Sequence, residues 1–193
     1  MLKHILTAKC NRKCGYCISR NVHQVEQHGI DNVVKVYMAF LKAGHKEIML
    51  TGGEPSMANF FPMYISLARQ IFDRVFITTQ NTEIIQHRWY AGKVFDAVTF
   101  SIHDAIVPEV TNGATVYASI LDARYKAGLA EELKAKGYSG LTINEEHRGT
   151  EVFNEELPTI NGFSIRINRR GKCLDEPMIM PDLTTIENFK EYL

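Results

Sequence analysis

The sequence has no surplus of charge of either sign, because 22 Lys and Arg balance 22 Asp and Glu. A basic coat able to wrap nucleic acid without regard to sequence is therefore excluded, while local clusters keep their meaning. There is no run of eighteen or more apolar residues to read as a transmembrane helix. The opening Met1-Leu2-Lys3-His4-Ile5-Leu6-Thr7 lacks the apolar core and small-residue cleavage site of a signal peptide. The expected location is cytoplasmic, with no membrane partner. Proline is scarce at six, and no Pro-, Gly- and Ser-rich linker, internal repeat or low-complexity tract divides the chain. One domain over residues 1–193 is expected, with a short helical extension at about 174–193. Cysteine is equally sparse at four, yet three lie between Cys10 and Cys17, a crowding suited to metal ligation rather than to disulfide staples. Cys173 stands apart from them.

What is present is an ordinary globular composition, 45% hydrophobic and 23% charged. Short apolar runs alternate with segments of helical period, the signature of a parallel sheet built from strand-helix units. Six strands are predicted, at about 3–7, 47–51, 74–79, 97–103, 140–144 and 163–168. Between the first two, Val33, Tyr37, Phe40 and Leu41 recur at helical spacing, with Asp31 as N-cap and Gly44 just past the end. A second helix at about 60–72 places Phe61, Tyr64, Ile65 and Ala68 on one face, and a third begins near Thr82 with Ile84, Ile85 and Trp89. A long helical stretch is predicted over 115–136, broken or kinked at Gly128. A capping box, Thr184-Thr185-Ile186-Glu187, opens a last helix. Six such units are too few to close an eight-stranded barrel, so the predicted fold is α/β, an open partial (βα)6 barrel of parallel strands. Functional groups should gather at the carboxyl ends of its strands.

The first strand runs straight into Cys10-Asn11-Arg12-Lys13-Cys14-Gly15-Tyr16-Cys17, with three and then two residues between cysteines. Three thiolates on one short loop can hold three corners of a cuboidal iron-sulfur cluster and leave one iron without a protein ligand. The same loop also suits a structural zinc site, provided that Cys173 or a histidine supplies the fourth ligand. The second strand ends in Thr51-Gly52-Gly53-Glu54-Pro55, whose glycines allow close approach of a ligand to the backbone and whose Glu54 offers a carboxylate. A zinc clip gives no reason for that turn.

Together, the two motifs resemble the radical S-adenosylmethionine (SAM) superfamily, whose cluster loop has this cysteine spacing with an aromatic residue, here Tyr16, before the last cysteine. The resemblance covers about residues 3–168. It implies that Cys10, Cys14 and Cys17 ligate one [4Fe-4S] cluster and that SAM chelates the remaining iron. It implies further that Gly52, Gly53 and Glu54 contact the methionyl amino group, and that Tyr16 lies against the adenine. Thr79, Ser101 and Ile143, at later strand ends, would finish the SAM pocket. The implied enzyme accepts one electron from a flavodoxin- or ferredoxin-type donor and cleaves SAM to a 5'-deoxyadenosyl radical.

For the substrate the residues speak more softly. An alternating strand that points Ser101 inward points His103 the same way, which makes His103 a candidate for catalytic proton transfer. Arg12 and Lys13 sit in the cluster loop, and Arg166, Arg169 and Arg170 end or follow the sixth strand. If the first and sixth strands flank the barrel's lateral opening, both basic groups border the substrate's entry, a placement suited to phosphate. The leading expectation is hydrogen abstraction from a nucleotide, a modified base or a nucleic acid. The alternatives are an activating enzyme that makes a glycyl radical on a partner protein, a deazapurine base synthase, and a zinc-bound interaction module. The Ile18-Ser19 pair after Cys17 departs from the acidic residue that deazapurine synthases tend to carry there. With so little chain beyond the core, the substrate or a partner protein must help close the site.

Overall fold

The computed structural model describes residues 1–14, 17, 29–90, 94–145, 153, 154, 156–169 and 176–186. Its strands are β1 (Leu2–Ile5), β2 (Glu47–Thr51), β3 (Arg74–Thr79), β4 (Ala97–Ser101), β5 (Val116–Leu121), β6 (Gly140–Asn144), β7 (Ser164–Asn168), β8 (Met178–Ile179) and β9 (Thr185–Ile186). Its α-helices are α1 (Ile30–Lys42), α2 (Phe61–Ile71), α3 (Glu83–Gln86) and α4 (Leu129–Ala135). The strands form one sheet in the order β7-β6-β5-β4-β3-β2-β1-β8-β9. Every pairing is parallel except β8 with β9. The α/β class and the open run of parallel strands are thus as the sequence led us to expect.

Strand alternation sorts the side chains into two faces. On one, Ile48 and Leu50, Val75 and Ile77, Val98 and Phe100, and Leu141 and Ile143 are buried in a single cluster with Tyr37 of α1, Tyr64, Ile65 and Ala68 of α2, and Leu133 of α4. The opposite face carries Met49, Thr78, Thr99, Ser101, Ser119, Thr142 and Asn144, all half-buried. His4 of β1 belongs to the helix-covered face. It is fully buried, its Nδ1 lies 2.8 Å from the Tyr37 hydroxyl, and burial drags its pKa down to about 3, so the ring is neutral there.

Several expectations give way to the structure. Residues 116–121 are strand β5, 122–124 form a 3-10 turn and only 129–135 are α-helical, because Val116, Ala118 and Ile120 alternate into the core between β4 and β6. Gly128, at φ +84°, starts α4 rather than kinking a longer helix. Asp31 lies in the first turn of α1, whose N-cap is Gly29; Gly44, at φ +95°, does follow the helix end. The third helix is a single turn, and Trp89 falls in a separate 3-10 turn, 52% exposed. At the C-terminal end, Thr184 caps no helix: its N–H and hydroxyl bond Asp182, and Thr185–Ile186 pair with β8. β8 in turn pairs with β1, so the first strand has neighbours on both sides and does not border a lateral opening. Glu187 and Cys173 lie outside the described residues.

Candidate active site at the carboxyl ends of the first four strands

One cavity, of about 110 Å³, lies where β1 to β4 end. Its walls include Cys10, Cys14 and Cys17 from the loop after β1, Gly52, Gly53 and Glu54 from the turn after β2, and Thr78, Thr79 and Gln80 from β3. Ser101 and His103, from the end of β4, complete them together with Arg12.

Close approach of two backbones puts the cysteine loop there. After the parallel pairing of Ile5 with Thr51, the Leu6 N–H bonds the Thr51 carbonyl at 2.9 Å. The Gly53 N–H then bonds the Thr7 carbonyl at 2.7 Å, and the Glu54 N–H bonds the Lys9 carbonyl at 2.8 Å. A Cβ on Gly52, at φ +145°, would sit 2.5 Å from the Thr7 oxygen, and one on Gly53 would sit 2.3 Å from the Lys9 oxygen. The paired glycines are therefore required by the strand that leads into the cysteines. Residues 7–9 fill the space on the Cβ side of the turn, while Gly52, Gly53 and Glu54 also line the cavity.

Glu54 is 3% exposed and anchored on every side. Its Oε1 accepts from the Ser56 N–H at 3.1 Å, the Ser56 hydroxyl at 2.7 Å and the Thr79 hydroxyl at 2.7 Å. Its Oε2 accepts from the Gln80 N–H at 2.9 Å. The carboxylate thus ties the end of β2 to the end of β3, and Thr79 serves the pocket through it.

His103 Nδ1 lies 3.9 Å from Cys14 Sγ, and the Arg124 guanidinium donates to the His103 carbonyl. Burial, followed by the nearby positive charges of Arg12 and Arg124, lowers the His103 pKa. Arg12 forms a two-pronged bond with Asp104, Nη1 to Oδ1 at 3.0 Å and Nη2 to Oδ2, which raises the pKa of the guanidinium and lowers that of the carboxyl. Its Nε is buried without a partner.

The remaining expected residues lie elsewhere. Ile143 is fully buried beside Leu141 on the helix-covered face and does not line the cavity. Arg169 donates to the buried Glu145 at 2.5 Å and to the Phe153 carbonyl at 3.1 Å, so its charge is met within the fold. Arg166 is exposed, has no carboxylate partner among the described residues, and shares a rung of the open face with Ser101 through Ser119 and Thr142. Lys13 is exposed beside the cysteines. Tyr16 and Arg170 fall outside the described residues.

Two features were missed. Gln80, directly after β3, donates from Nε2 to Cys10 Sγ at 3.2 Å and to Asn11 Oδ1 at 2.7 Å. The only hint of it in sequence was its place at a strand's carboxyl end. On the open face, Asn144 donates to the Ser119 hydroxyl at 2.9 Å and the Ile120 carbonyl at 3.0 Å, while Asn168 donates to Asn144 Oδ1 at 3.0 Å. These amides form a polar ladder across β5, β6 and β7.

Among the described residues no three His, Cys, Asp or Glu side chains converge on a single metal ion. Cys10, Cys14 and Cys17 nonetheless line one cavity. That suits a polynuclear centre, where each thiolate meets a different iron, and the soft donor set is the one iron-sulfur clusters take. Gln80 Oε1 and Arg12 Nε, polar atoms buried without partners among the described residues, belong to side chains that line this cavity and are further groups that a polar cofactor can engage.

Comparison with known proteins agrees with this geometry. The model of the radical SAM superfamily matches residues 4–105, more than half of the chain. Similar curated proteins include the GTP 3',8-cyclase of Psychromonas ingrahamii, 25% identical over 67% of this chain and 42% of the relative. The GTP 3',8-cyclase of Rhizobium leguminosarum is 26% identical over 93% of this chain and 51% of its own. A probable GTP 3',8-cyclase of Methanococcus maripaludis is 29% identical over 92% and 59%. The chain spans about half the length of the curated relatives it matches. Among solved structures, SuiB of Streptococcus suis bound to S-adenosylmethionine superposes with a TM-score of 0.62 at 10% identity, over 88% of this chain and 50% of that one. SuiB bound to its precursor peptide SuiA gives 0.62 at 13%, over 75% and 39%.

Proposed function

Because the chain belongs to the radical SAM superfamily, we propose that Cys10, Cys14 and Cys17 hold one [4Fe-4S] cluster and that the protein abstracts hydrogen from a phosphate-bearing substrate, a nucleotide by preference. The observation that carries the reading is the lacing of the Gly52-Gly53-Glu54 turn to residues 7–9, which sets three cysteine sulfurs on the wall of one cavity. When bound, the cluster delivers one electron to SAM, whose carbon-sulfur bond breaks to give a 5'-deoxyadenosyl radical. The electron comes from a flavodoxin- or ferredoxin-type donor.

The chain's own contribution is placement. Gly52, Gly53 and Glu54 receive the amino end of SAM, with Glu54 also holding β3 in register through Thr79. Ser101 closes the wall toward β4. Asp104 fixes the Arg12 side chain over the cavity. His103 occupies the boundary between the cysteines and the open face, where a neutral imidazole held by burial can take or return a proton. No helix among the described residues is long and apolar enough to cross a membrane, and the reading places the enzyme in the cytoplasm.

The nucleotide preference rests on the relatives' activity and on charge. Asp104 and Glu145 neutralise Arg12 and Arg169, whereas Arg166 has no carboxylate partner among the described residues, which favours Arg166 as the phosphate's partner. From Ser101 to Arg166 is three strand spacings, about 14 Å, room for a nucleoside with its base or sugar toward the cysteines. A partner protein or the substrate itself closes the mouth.

The test is anaerobic reconstitution followed by turnover with deuterated nucleotides. About four irons per chain, 5'-deoxyadenosine from SAM and transfer of the label are expected. A colourless protein with one zinc would refute the cluster assignment, and label transfer only from a partner's glycine would refute the nucleotide. Nucleotide affinity should fall as salt rises.

A further inference from the structure

We propose that Gln80 is a positioning residue that sets the reduction potential of the cluster through an N–H···S bond to Cys10. The inference rests on the assignment of Cys10, Cys14 and Cys17 as ligands and adds to it a residue that touches no iron.

Three contacts fix this amide. The Gln80 backbone N–H is anchored on Glu54 Oε2 at 2.9 Å, so the residue is held by the same carboxylate that joins β2 to β3. Its Nε2 then reaches Asn11 Oδ1 at 2.7 Å and Cys10 Sγ at 3.2 Å, one hydrogen for each. A ligating thiolate has no hydrogen to give, so the group that faces it must be the NH2 and not the carbonyl oxygen. Cys10 Sγ also receives the Arg12 backbone N–H at 3.4 Å, which makes it a sulfur with two nitrogen donors.

Gln80 Oε1 is buried without a partner among the described residues. Bracing the loop requires only the bond to Asn11 Oδ1, and the second N–H of the same amide is directed at Cys10 Sγ. The amide is therefore accounted for by its donor. A donor directed at a ligating sulfur stabilises negative charge, and it does so more when the cluster carries one additional electron, so it raises the reduction potential. The electron itself still comes from the external one-electron donor; Gln80 alters how readily it is accepted.

The experiment compares the wild-type protein with Gln80→Leu and Gln80→Glu after anaerobic reconstitution. Both substitutions keep the length of the side chain roughly and remove the amide N–H. Iron content and SAM cleavage in the wild type check the ligand assignment on their own. Midpoint potentials, from redox titration followed by electron paramagnetic resonance, then check Gln80. Both variants are expected to keep full iron and to titrate at a more negative potential. At a poise equal to the wild-type midpoint, their reduced fraction should drop roughly twofold or more. Unchanged potentials at full iron content would overturn the proposal. Loss of iron from both variants would also overturn it, by assigning Gln80 to the placement of the loop. Iron missing from the wild type would instead refute the cysteine assignment.

Discussion

The ends of β1 to β4 and the ends of β5 to β7 are built on different principles. In the first group, backbone meets backbone: Gly52 and Gly53 pass within contact of Thr7 and Lys9, and Glu54 and Gln80 tie the turn to its neighbours. In the second, side chains do the joining, as Ser119, Asn144 and Asn168 hydrogen-bond across the open face. Backbone proximity tolerates few residues, so it leaves a motif. A ladder of hydroxyls and amides tolerates many, so it leaves none. The difference teaches why the cofactor can be inferred from this sequence while the substrate stays a proposal.

The largest effect should come from removing a sulfur. Cys10→Ala is expected to lower iron from about four per chain to below one and to abolish formation of 5'-deoxyadenosine, measured by iron assay and chromatography. Next comes a matched pair of glycines. Gly53→Ala forces a Cβ to 2.3 Å from the Lys9 carbonyl oxygen, and Gly140→Ala forces one to 2.5 Å from the Ser164 carbonyl oxygen. Each should cost about 1–3 kcal/mol in denaturant titrations. Only Gly53→Ala should also reduce iron occupancy, because only that glycine lies against the strand entering the cysteines. Equal iron loss in both would erase the distinction between the two halves.

A smaller effect follows pH. His4 is held neutral with a pKa near 3, against 6.5 for the free side chain, so the unfolded chain binds the extra proton between those values. Stability from this group is complete above pH 6.5 and declines as pH falls toward 3. His4→Phe should flatten that decline in melts taken across the window, with the open face unaffected. Smallest in stability is Arg166→Gln, expected to leave the melting temperature unchanged while weakening nucleotide binding and making it less sensitive to salt, read by calorimetry at two ionic strengths.

Most of the fold was legible because the pattern of buried residues is local. Strands at 47–51, 74–79 and 140–144 were recovered where apolar residues alternate or cluster beside glycine and charge. β5 was not, since Val116-Tyr117-Ala118-Ser119-Ile120-Leu121 leads into Ala123 and Tyr125 with enough apolar residues to satisfy a helical period as well. What decides it is the vacancy between β4 and β6, which no window along the chain contains. β8 and β9 were hidden for a similar reason, each being two residues long, with β8 specified by β1 at the other end of the sequence and β9 specified by β8. Of the residues that line the cavity, Cys10, Cys14 and Cys17 stand out in the sequence by their spacing and Glu54 by the Gly-Gly-Glu-Pro turn. Gln80 and the Asp104 and Glu145 partners of the arginines do not, because they arrive from distant strand ends and their significance is a matter of a few ångströms.

The pairing of residues 3 and 4 with 178 and 179 also has a consequence for synthesis. As the polypeptide leaves the ribosome, β1 can acquire β2 within some fifty residues, but its other flank stays bare until nearly all of the sheet has been translated. The segment proposed to hold the cluster hangs from that unfinished strand. Iron delivered early would meet a loop whose supporting strand still has one unpaired edge, so insertion of the proposed cluster is expected only once residues 3 and 4 have paired with 178 and 179.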